Sequence, residues 1–329
     1  MNYLDRIYGN FELDEPVLVK LIQSNAIQRL QGILQHGITG MIGICSMSTR
    51  FEHSVGVMRL VQKMGGSLKE QIAALVHDVS HTAFSHVIDH VFKQAETQSF
   101  HEERKEWFFQ QSDIPDILNQ YGYQWQEFLD EDQFSILEQP APALCADRVD
   151  YLFRDTADLN LLNTKQIQSI ISNLDIFKGR IVCKNIKTAR LMADVYLKAD
   201  EKSWSNFREV GLYEITAQTI QRARDIHLIR DEDLWNTDLW LLDRLKSSKD
   251  ILLHKLLKMI SIDTKFKWNE ANPTFVVKTK VRVIDPDIKQ QNSIAKLSVL
   301  DFNFKNRLDQ YILERKKPLP ICVLKYPTT

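Results

Sequence analysis

Apolar residues recur every three or four positions along most of this 329-residue chain, which is the period of an amphipathic helix. Residues 15–35 carry the first such stripe, although polar positions interrupt it. The same period predicts further helices over residues 54–64, 68–81, 99–120 (as far as Pro115), 144–161, 188–202 and 207–230. Glycine and proline, which interrupt helices, number only 11 and 9. The pattern therefore predicts a mainly α fold.

Three other segments have the features of strands. Residues 181–183 form a short apolar run, and residues 318–325 are a second candidate. Residues 275–283 alternate in polarity, so that the basic residues Lys278, Lys280 and Arg282 share one face. We expect this basic face to be solvated, and the alternative is a contact with a polyanion or a subunit. The elements together predict a helical body at residues 1–250 and a small α+β C-terminal region at residues 251–329 packed on it.

Composition and charge narrow the class of protein. The 44% hydrophobic and 26% charged shares are those of a globular protein. The formal net charge of -1 gives no overall field toward nucleic acid or anionic membrane, so nucleic-acid binding is not indicated. The four cysteines are scattered without a CxxC spacing, and no apolar run is long enough to span a bilayer. Because the first 15 residues also lack the pattern of a secretory signal, we expect a cytoplasmic protein.

Histidines and carboxylates suggest where the chemistry takes place. A helix over residues 68–81 would place an apolar stripe on one side and His77, Asp78 and His81 on the other. Such a polar face can simply be solvated. His53 lies just before another predicted helix, and Asp147 lies near the start of a third. Two imidazoles and two carboxylates suit a divalent metal ion, which can lower the pKa of a bound water and neutralise phosphoryl charge.

Three sequence motifs around these residues resemble those of a known family. They are TRFEHSVGVMRL, ALVHDVSHTAFSH and CADRVDYLFRD, in this order. Together they resemble the HD-domain metal-dependent phosphohydrolase superfamily and, within it, the deoxynucleoside triphosphate triphosphohydrolase branch. The resemblance covers roughly residues 15–160 and implies a helical HD body, in agreement with the periodicity.

The resemblance implies roles for individual residues. The metal ligands would be His53, His77, Asp78 and Asp147, and the ion would be one of Mn, Fe, Mg, Ni, Co and Zn. His81 matches the catalytic histidine, which would handle the proton of the leaving 5′-oxygen, and His101 with Glu102 matches a pair that assists it.

Substrate contacts follow from the same resemblance. Arg50 and Arg148 would hold phosphates, because a guanidinium fork matches phosphate geometry. Contacts to the sugar or to its surroundings are implied for Gln35, Tyr151, Asp155 and His86. His36 stands where the branch places an apolar residue that excludes a ribose 2′-hydroxyl. Since a histidine can hydrogen-bond that hydroxyl, the preference for a deoxy sugar is in question. Trp204, by contrast, is expected to be packing in the core.

The residues and the resemblance favour a metal-dependent nucleotide phosphohydrolase. The leading hypothesis is hydrolysis of dNTPs to deoxynucleoside and triphosphate by a metal-activated water. The first alternative is a phosphomonoesterase or phosphodiesterase acting on (ribo)nucleotides or short oligonucleotides, which His36 favours. The second is a catalytically silent nucleotide sensor, although every residue expected for metal binding and proton transfer is present. The resemblance also implies a homo-oligomer, because activity in this branch is often tied to oligomerisation.

Overall fold

The computed structural model describes residues 1–327, and helices dominate this part of the chain. The α-helices are α1 (Pro16–Ile22), α2 (Asn25–Arg29), α3 (Gly37–Met41), α4 (Arg50–Lys63), α5 (Leu68–Val76), α6 (Val87–Val91), α7 (Phe100–Glu103), α8 (Lys105–Gln111), α9 (Ile114–Gln120), α10 (Ala146–Asp158), α11 (Thr164–Ser172), α12 (Ile186–Ala199), α13 (Phe207–Asp225), α14 (Asp238–Lys246), α15 (Ile251–Met259), α16 (Leu297–Leu300) and α17 (Phe302–Arg315). The strands are β1 (Asn2–Asp5), β2 (Gly9–Glu12), β3 (Leu174–Phe177), β4 (Arg180–Cys183), β5 (Lys265–Trp268), β6 (Phe275–Val277), β7 (Asp287–Lys289), β8 (Ile294–Lys296) and β9 (Leu319–Lys325). The predicted helical body with a small α+β C-terminal region is confirmed.

Helix α4 lies at the centre of the helical body and packs against α5 and α10. Its apolar residues are buried around most of its circumference, as expected of a helix enclosed by others. A capping box starts it: Thr49 accepts a hydrogen bond from the Glu52 backbone N–H, and Glu52 accepts one from the Thr49 backbone N–H. This cap fixes the start of the helix at Arg50, three residues before His53.

Several predicted helices are shorter than their apolar pattern. Residues 15–35 form two helices rather than one, because Ser24 caps the start of α2 by accepting from the Ile27 N–H at 3.2 Å. Residues 99–120 form the three helices α7, α8 and α9. Pro115 lies in the first turn of α9 and does not end a helix, since the first turn needs no N–H donor at that position.

Two small sheets occupy the C-terminal part of the chain. One has the strand order β3-β4-β7-β8, and its β4–β7 pair joins residues on both sides of position 250. The other has the order β5-β9-β6 and packs on α13. The prediction of a strand over residues 275–283 holds only for β6. Because β9 begins at Leu319, which pairs with Val277, no strand partner continues the ladder, and residues 278–286 follow an irregular path.

Within residues 1–327, no helix is both long and apolar enough to cross a membrane.

Candidate metal centre and active site

His53 projects from the first turns of α4 and is 1% exposed. Its Nδ1 lies 2.7 Å from Oδ2 of Asp150, and its Nε2 lies 2.9 Å from Oδ1 of Asp147. Both carboxylates come from α10, one helical turn apart. Packing of α4 against α10 therefore brings His53 to Asp147, although the two residues are 94 positions apart in the chain.

His77 lies at the end of α5, which stops at Val76 and does not continue to residue 81 as predicted. Residues 77–80 form successive turns instead, with the His81 N–H donating to the Asp78 carbonyl. His77 Nδ1 lies 2.7 Å from the Ala74 carbonyl oxygen and must be protonated to donate to it. Nε2 is buried and has no hydrogen-bond partner. The helix end thus orients the Nε2 atom of the imidazole toward the carboxylates.

The four predicted ligands converge as a divalent ion requires. Ligand atoms of His53, His77 and Asp147 all lie within 4.8 Å of one another. Asp78 completes the group, with its oxygens 3.7 Å from His53 Nε2 and 3.6 Å from His77 Nε2. A buried ring nitrogen without a hydrogen-bond partner costs free energy, and a metal ion would satisfy His77 Nε2 directly. These residues therefore fit a divalent metal, and His77, Asp78 and His81 are buried rather than on a solvated face.

The electrostatics of this cluster keep its carboxylates ionised. Burial opposes the charge on Asp78, but Arg50 at 2.6 Å and the neighbouring histidines outweigh it and hold the pKa of Asp78 well below its usual range. His53 and His77 similarly lower the pKa of Asp147 against the effect of burial. The carboxylates in turn raise the pKa of His77 to about 9, although burial alone would lower it. In the absence of metal, protons on the histidines balance the anionic charge that a cation would otherwise balance.

A buried network of charged residues contacts Nδ1 of His53, on the side of the ring away from the other predicted ligands. Asp150 accepts from His53 and from Nε of Arg154 at 2.7 Å, and Arg154 also donates to Asp5 of β1 at 2.8 Å. All three charged side chains are at most 1% exposed. Gly56 leaves room for this network, because a Cβ there would lie 2.0 Å from Arg154 Nη2. The N-terminal hairpin, formed by the antiparallel strands β1 and β2, is thereby connected to a predicted metal ligand. Sequence analysis missed Asp150, although its spacing of three residues from Asp147 places both on one helix face.

A second group of histidines lies beside the metal centre. The rings of His81 and His101 stack with centroids 3.7 Å apart, and His86 meets both edge-on. His81 Nε2 lies 3.3 Å from Asp78 Oδ1. Burial and the charge of Arg50 lower the pKa of His81 to about 3, and burial with its histidine neighbours lowers that of His101. Both rings are therefore neutral at pH 7. Glu102 lies 3.9 Å from His101 with its side chain 63% exposed, so it contacts the pair only from the rim.

The predicted phosphate ligands lie in the wall of the same pocket. Arg50 is 4% exposed and donates to Asp78 and, at 3.0 Å, to the Ser85 hydroxyl. Arg148 donates to the Ala143 carbonyl at 2.6 Å and forms an ion pair with Glu138 at 3.3 Å. Both guanidinium groups are held by protein atoms in this state, and their contacts with phosphate stay a prediction.

The predicted sugar ligands form a connected group at another side of the pocket. His36 Nε2 lies 2.9 Å from Oδ1 of Asp155, whose other oxygen accepts from the Trp204 indole N–H at 2.7 Å. Trp204 also meets the Tyr151 ring edge-on, so it contributes to the pocket wall rather than only to the core. The side-chain oxygen of Gln35 is buried without a partner. A polar group of a ligand could therefore be bound there.

Together these residues enclose a cavity of about 390 Å³, within the size range of small-molecule sites. Its lining also includes groups that sequence analysis did not place there: Glu131, Asp132, Glu138, Glu209, Tyr213, Lys280 and Arg282. The expectation that the basic residues near position 280 form one face of a strand is wrong, because the strand ends at Val277 and the irregular chain crosses the pocket. Lys278 and Lys280 are exposed, as expected of solvated residues, but Lys280 also lines the pocket at its rim. Arg282 is only partly exposed and lines the same pocket.

Comparisons with known proteins agree with this geometry. The HD domain family matches residues 50–155, which contain all four predicted metal ligands. The metal-dependent phosphohydrolase cns2 of Cordyceps militaris is 34% identical over 322 residues, covering 94% of this chain and 92% of that protein. This chain belongs to the HD family of metal-dependent phosphohydrolases. A divalent metal ion is accordingly its cofactor.

Other relatives extend the comparison. YdhJ of Bacillus subtilis, a protein described as uncharacterized, is 37% identical over 99% of this chain and 100% of its own length. The human deoxynucleoside triphosphate triphosphohydrolase SAMHD1 is 32% identical over an alignment of 161 positions that covers 41% of this chain and 26% of that protein. The crystal structure of a phosphohydrolase from Bacteroides thetaiotaomicron has the same fold, with a TM-score of 0.73, 19% identity and 99% coverage of both chains.

Proposed function

We propose that this phosphohydrolase acts on nucleotides and hydrolyses dNTPs to deoxynucleoside and triphosphate. The observation that carries the proposal is that one cavity combines the metal ligands, the stacked pair His81–His101 and a group suited to a sugar, Gln35, Tyr151 and Asp155. A phosphate ester without a sugar would leave the third part of the cavity without a contact. The partial similarity to SAMHD1 supports the same substrate class.

Each part of the pocket has a chemical task in this proposal. A divalent ion would lower the pKa of a water and neutralise phosphoryl charge when it is bound by His53, His77, Asp78 and Asp147. His81 and His101, neutral in the free protein, would gain proton affinity beside a polyanionic substrate and could then supply a proton to the leaving 5′-oxygen. Arg50 and Arg148 would orient the phosphates, and Tyr151 with Asp155 would position the sugar.

Product analysis tests this proposal. Purified protein loaded with Mn²⁺ is incubated with each dNTP and NTP, and the products are separated by ion-exchange chromatography. The proposal expects intact tripolyphosphate and nucleoside in equal amounts, and a His77→Ala/Asp78→Ala control should release neither. Release of orthophosphate or pyrophosphate alone would contradict it.

A phosphomonoesterase or phosphodiesterase acting on ribonucleotides is the second candidate, and His36 favours it. This histidine is buried beside Asp155 and lies 4.0 Å from Glu209, so the sugar side of the pocket has a polar group able to hydrogen-bond a ribose 2′-hydroxyl. The same product analysis, extended to 3′- and 5′-monophosphates, separates the two, because only a phosphomonoesterase converts monophosphates to nucleoside and orthophosphate.

A further inference from the structure

We propose that Lys280 and Arg282 form a second phosphate-binding subsite at the rim of the pocket, which holds the phosphates of the substrate that lie farthest from the metal. The inference rests on the proposed function, since it assigns the substrate a chain of phosphates. It concerns residues outside the 50–155 region that the HD domain family matches. The C-terminal region would then contribute to substrate binding.

The path of the chain explains why these two residues reach the pocket. Residues 278–286 leave the sheet after Val277, and the Asp285 N–H donates to the Pro142 carbonyl at 2.8 Å. This bond ties the segment to the loop that precedes α10 and its metal ligand. Residues 279–283 consequently line the same cavity as the metal centre. Lys278 lies just outside this lining and faces Glu96 instead, at 3.9 Å.

The charges of both residues are available to a ligand. Within residues 1–327, neither Lys280 nor Arg282 forms an ion pair with a carboxylate, whereas Arg50 and Arg148 each have one. Arg282 donates to the side-chain oxygen of Gln98, a neutral group, and so keeps its positive charge uncompensated. Lys280 makes no hydrogen bond in the described part of the chain. The charges of Glu102 and Asp147 act on Lys280 only from beyond ion-pair distance. Two cations without ion-pair partners, two residues apart, favour an anion with several charges.

The electrostatics of neighbouring groups indicate that these charges act on the pocket. Burial and the charge of Arg50 have the largest effects in lowering the pKa of His86, and the charges of Arg282 and Lys280 lower it further. His86 lies edge-on to His81. Arg282 also acts on Tyr151. Because the cavity is closed on several sides and holds about 390 Å³, the anion must be a small molecule rather than a nucleic-acid duplex. A polyphosphate chain meets these conditions.

Anion binding tests the subsite without turnover. Inorganic tripolyphosphate and orthophosphate are titrated by calorimetry into the full chain loaded with Mn²⁺, as wild type and as Lys280→Ala/Arg282→Ala. We expect the double variant to bind tripolyphosphate about tenfold or more weakly, because two charge-assisted contacts are lost, and to bind orthophosphate as wild type does. Lys278→Ala is the matched control, since it removes a charge from the same segment outside the pocket. Circular dichroism checks that all variants are folded.

The outcomes separate this inference from the proposed function. Unchanged tripolyphosphate affinity in the double variant, or an equal loss in Lys278→Ala, overturns the subsite even if wild type releases tripolyphosphate from dNTPs. An equal loss of affinity for both anions also overturns it, because the residues would then act only through a general field. A selective loss of tripolyphosphate affinity together with a wild type that cleaves only monophosphates supports an anion subsite and overturns the proposed function.

Discussion

The two walls of the pocket are built differently. In the inner wall, α4, α10 and the turns that follow α5 supply the predicted metal ligands. Each of these residues is either held by another side chain or placed by a helix end, as Asp150 holds His53 and the end of α5 places His77. In the outer wall, residues 278–286 follow an irregular path and present Lys280 and Arg282 without ion-pair partners among the described residues.

The difference reflects what each wall must do. Metal coordination tolerates errors of only a few tenths of an ångström, so its ligands need rigid helices and hydrogen-bonded neighbours. Attraction between charges falls slowly with distance and needs no fixed geometry, so a flexible lysine and a less regular backbone suffice. The inner wall should therefore be more sensitive to small changes in geometry than the outer wall is.

Loss of a metal ligand should have the largest effect. In His77→Ala, metal affinity and phosphohydrolase turnover should fall by more than the roughly 10–100-fold that supporting residues cost, because a direct ligand is gone. Calorimetric metal titration and product analysis measure the two effects. His254→Ala, on α15 and outside the pocket lining, serves as control and should behave as wild type. Undiminished metal affinity in His77→Ala would mean that the ion is held elsewhere.

Loss of Asp150, which holds the predicted ligand His53, should reduce metal affinity by a smaller factor. Asp150→Asn replaces the carboxylate that orients His53 and compensates Arg154, so metal affinity should fall about 10–100-fold. The protein should also lose stability, because the buried Arg154 keeps only Asp5 as an anionic partner. Metal titration at a temperature where thermal melting shows the variant to be folded separates the two effects. Asp175→Asn, an exposed carboxylate paired with Lys289, is the control. Equal metal affinities in the two variants would show that Asp150 does not help the centre to bind metal.

A side chain at position 56, which would crowd the pair Asp150–Arg154, should reduce the stability of the protein. Alanine normally stabilises a helix interior relative to glycine by about 1 kcal/mol. In Gly56→Ala, however, the new Cβ would lie 2.3 Å from Asp150 Oδ1, so we expect a net loss of about 1–3 kcal/mol in the free energy of unfolding. Urea unfolding measures it, with Lys63→Ala, an exposed position of α4, as the control that should change little. A Gly56→Ala variant as stable as wild type would show that α4 and α10 can separate without cost.

A change at the sugar side should alter selectivity more than rate. His36→Leu removes the polar group near the expected 2′-position, so the ratio of kcat/KM for dNTP over NTP should rise about tenfold. The rate with dNTPs should change less, because Asp155 keeps its bond from Trp204. The measurement is a competition assay with matched dNTP and NTP, and His254→Leu is the control. If the ratio stays constant, His36 does not contact the sugar.

Much of the inner wall could be predicted from the sequence. The helical period located α4, α5 and α10, and the motifs around His53, His77 and Asp147 identified the family and predicted a metal centre. These signals are local, because helix formation and motif spacing depend on neighbouring residues. The end of α5 was placed wrongly, since the turns at residues 77–80 preserve the apolar and polar faces that a helix would also show.

The sequence alone determined the mainly α class and the HD family, because both follow from short-range patterns of residues. The assignment of His53, His77, Asp78 and Asp147 to a metal centre stays a prediction from the same motifs. Only the tertiary structure decided which residues surround that centre. The roles of Asp150 behind His53 and of Trp204 beside Asp155 depend on contacts between distant helices. The position of Lys280 and Arg282 depends on where β9 stops pairing with β6. Such contacts follow from packing across the whole chain, which no local pattern of polar and apolar residues records.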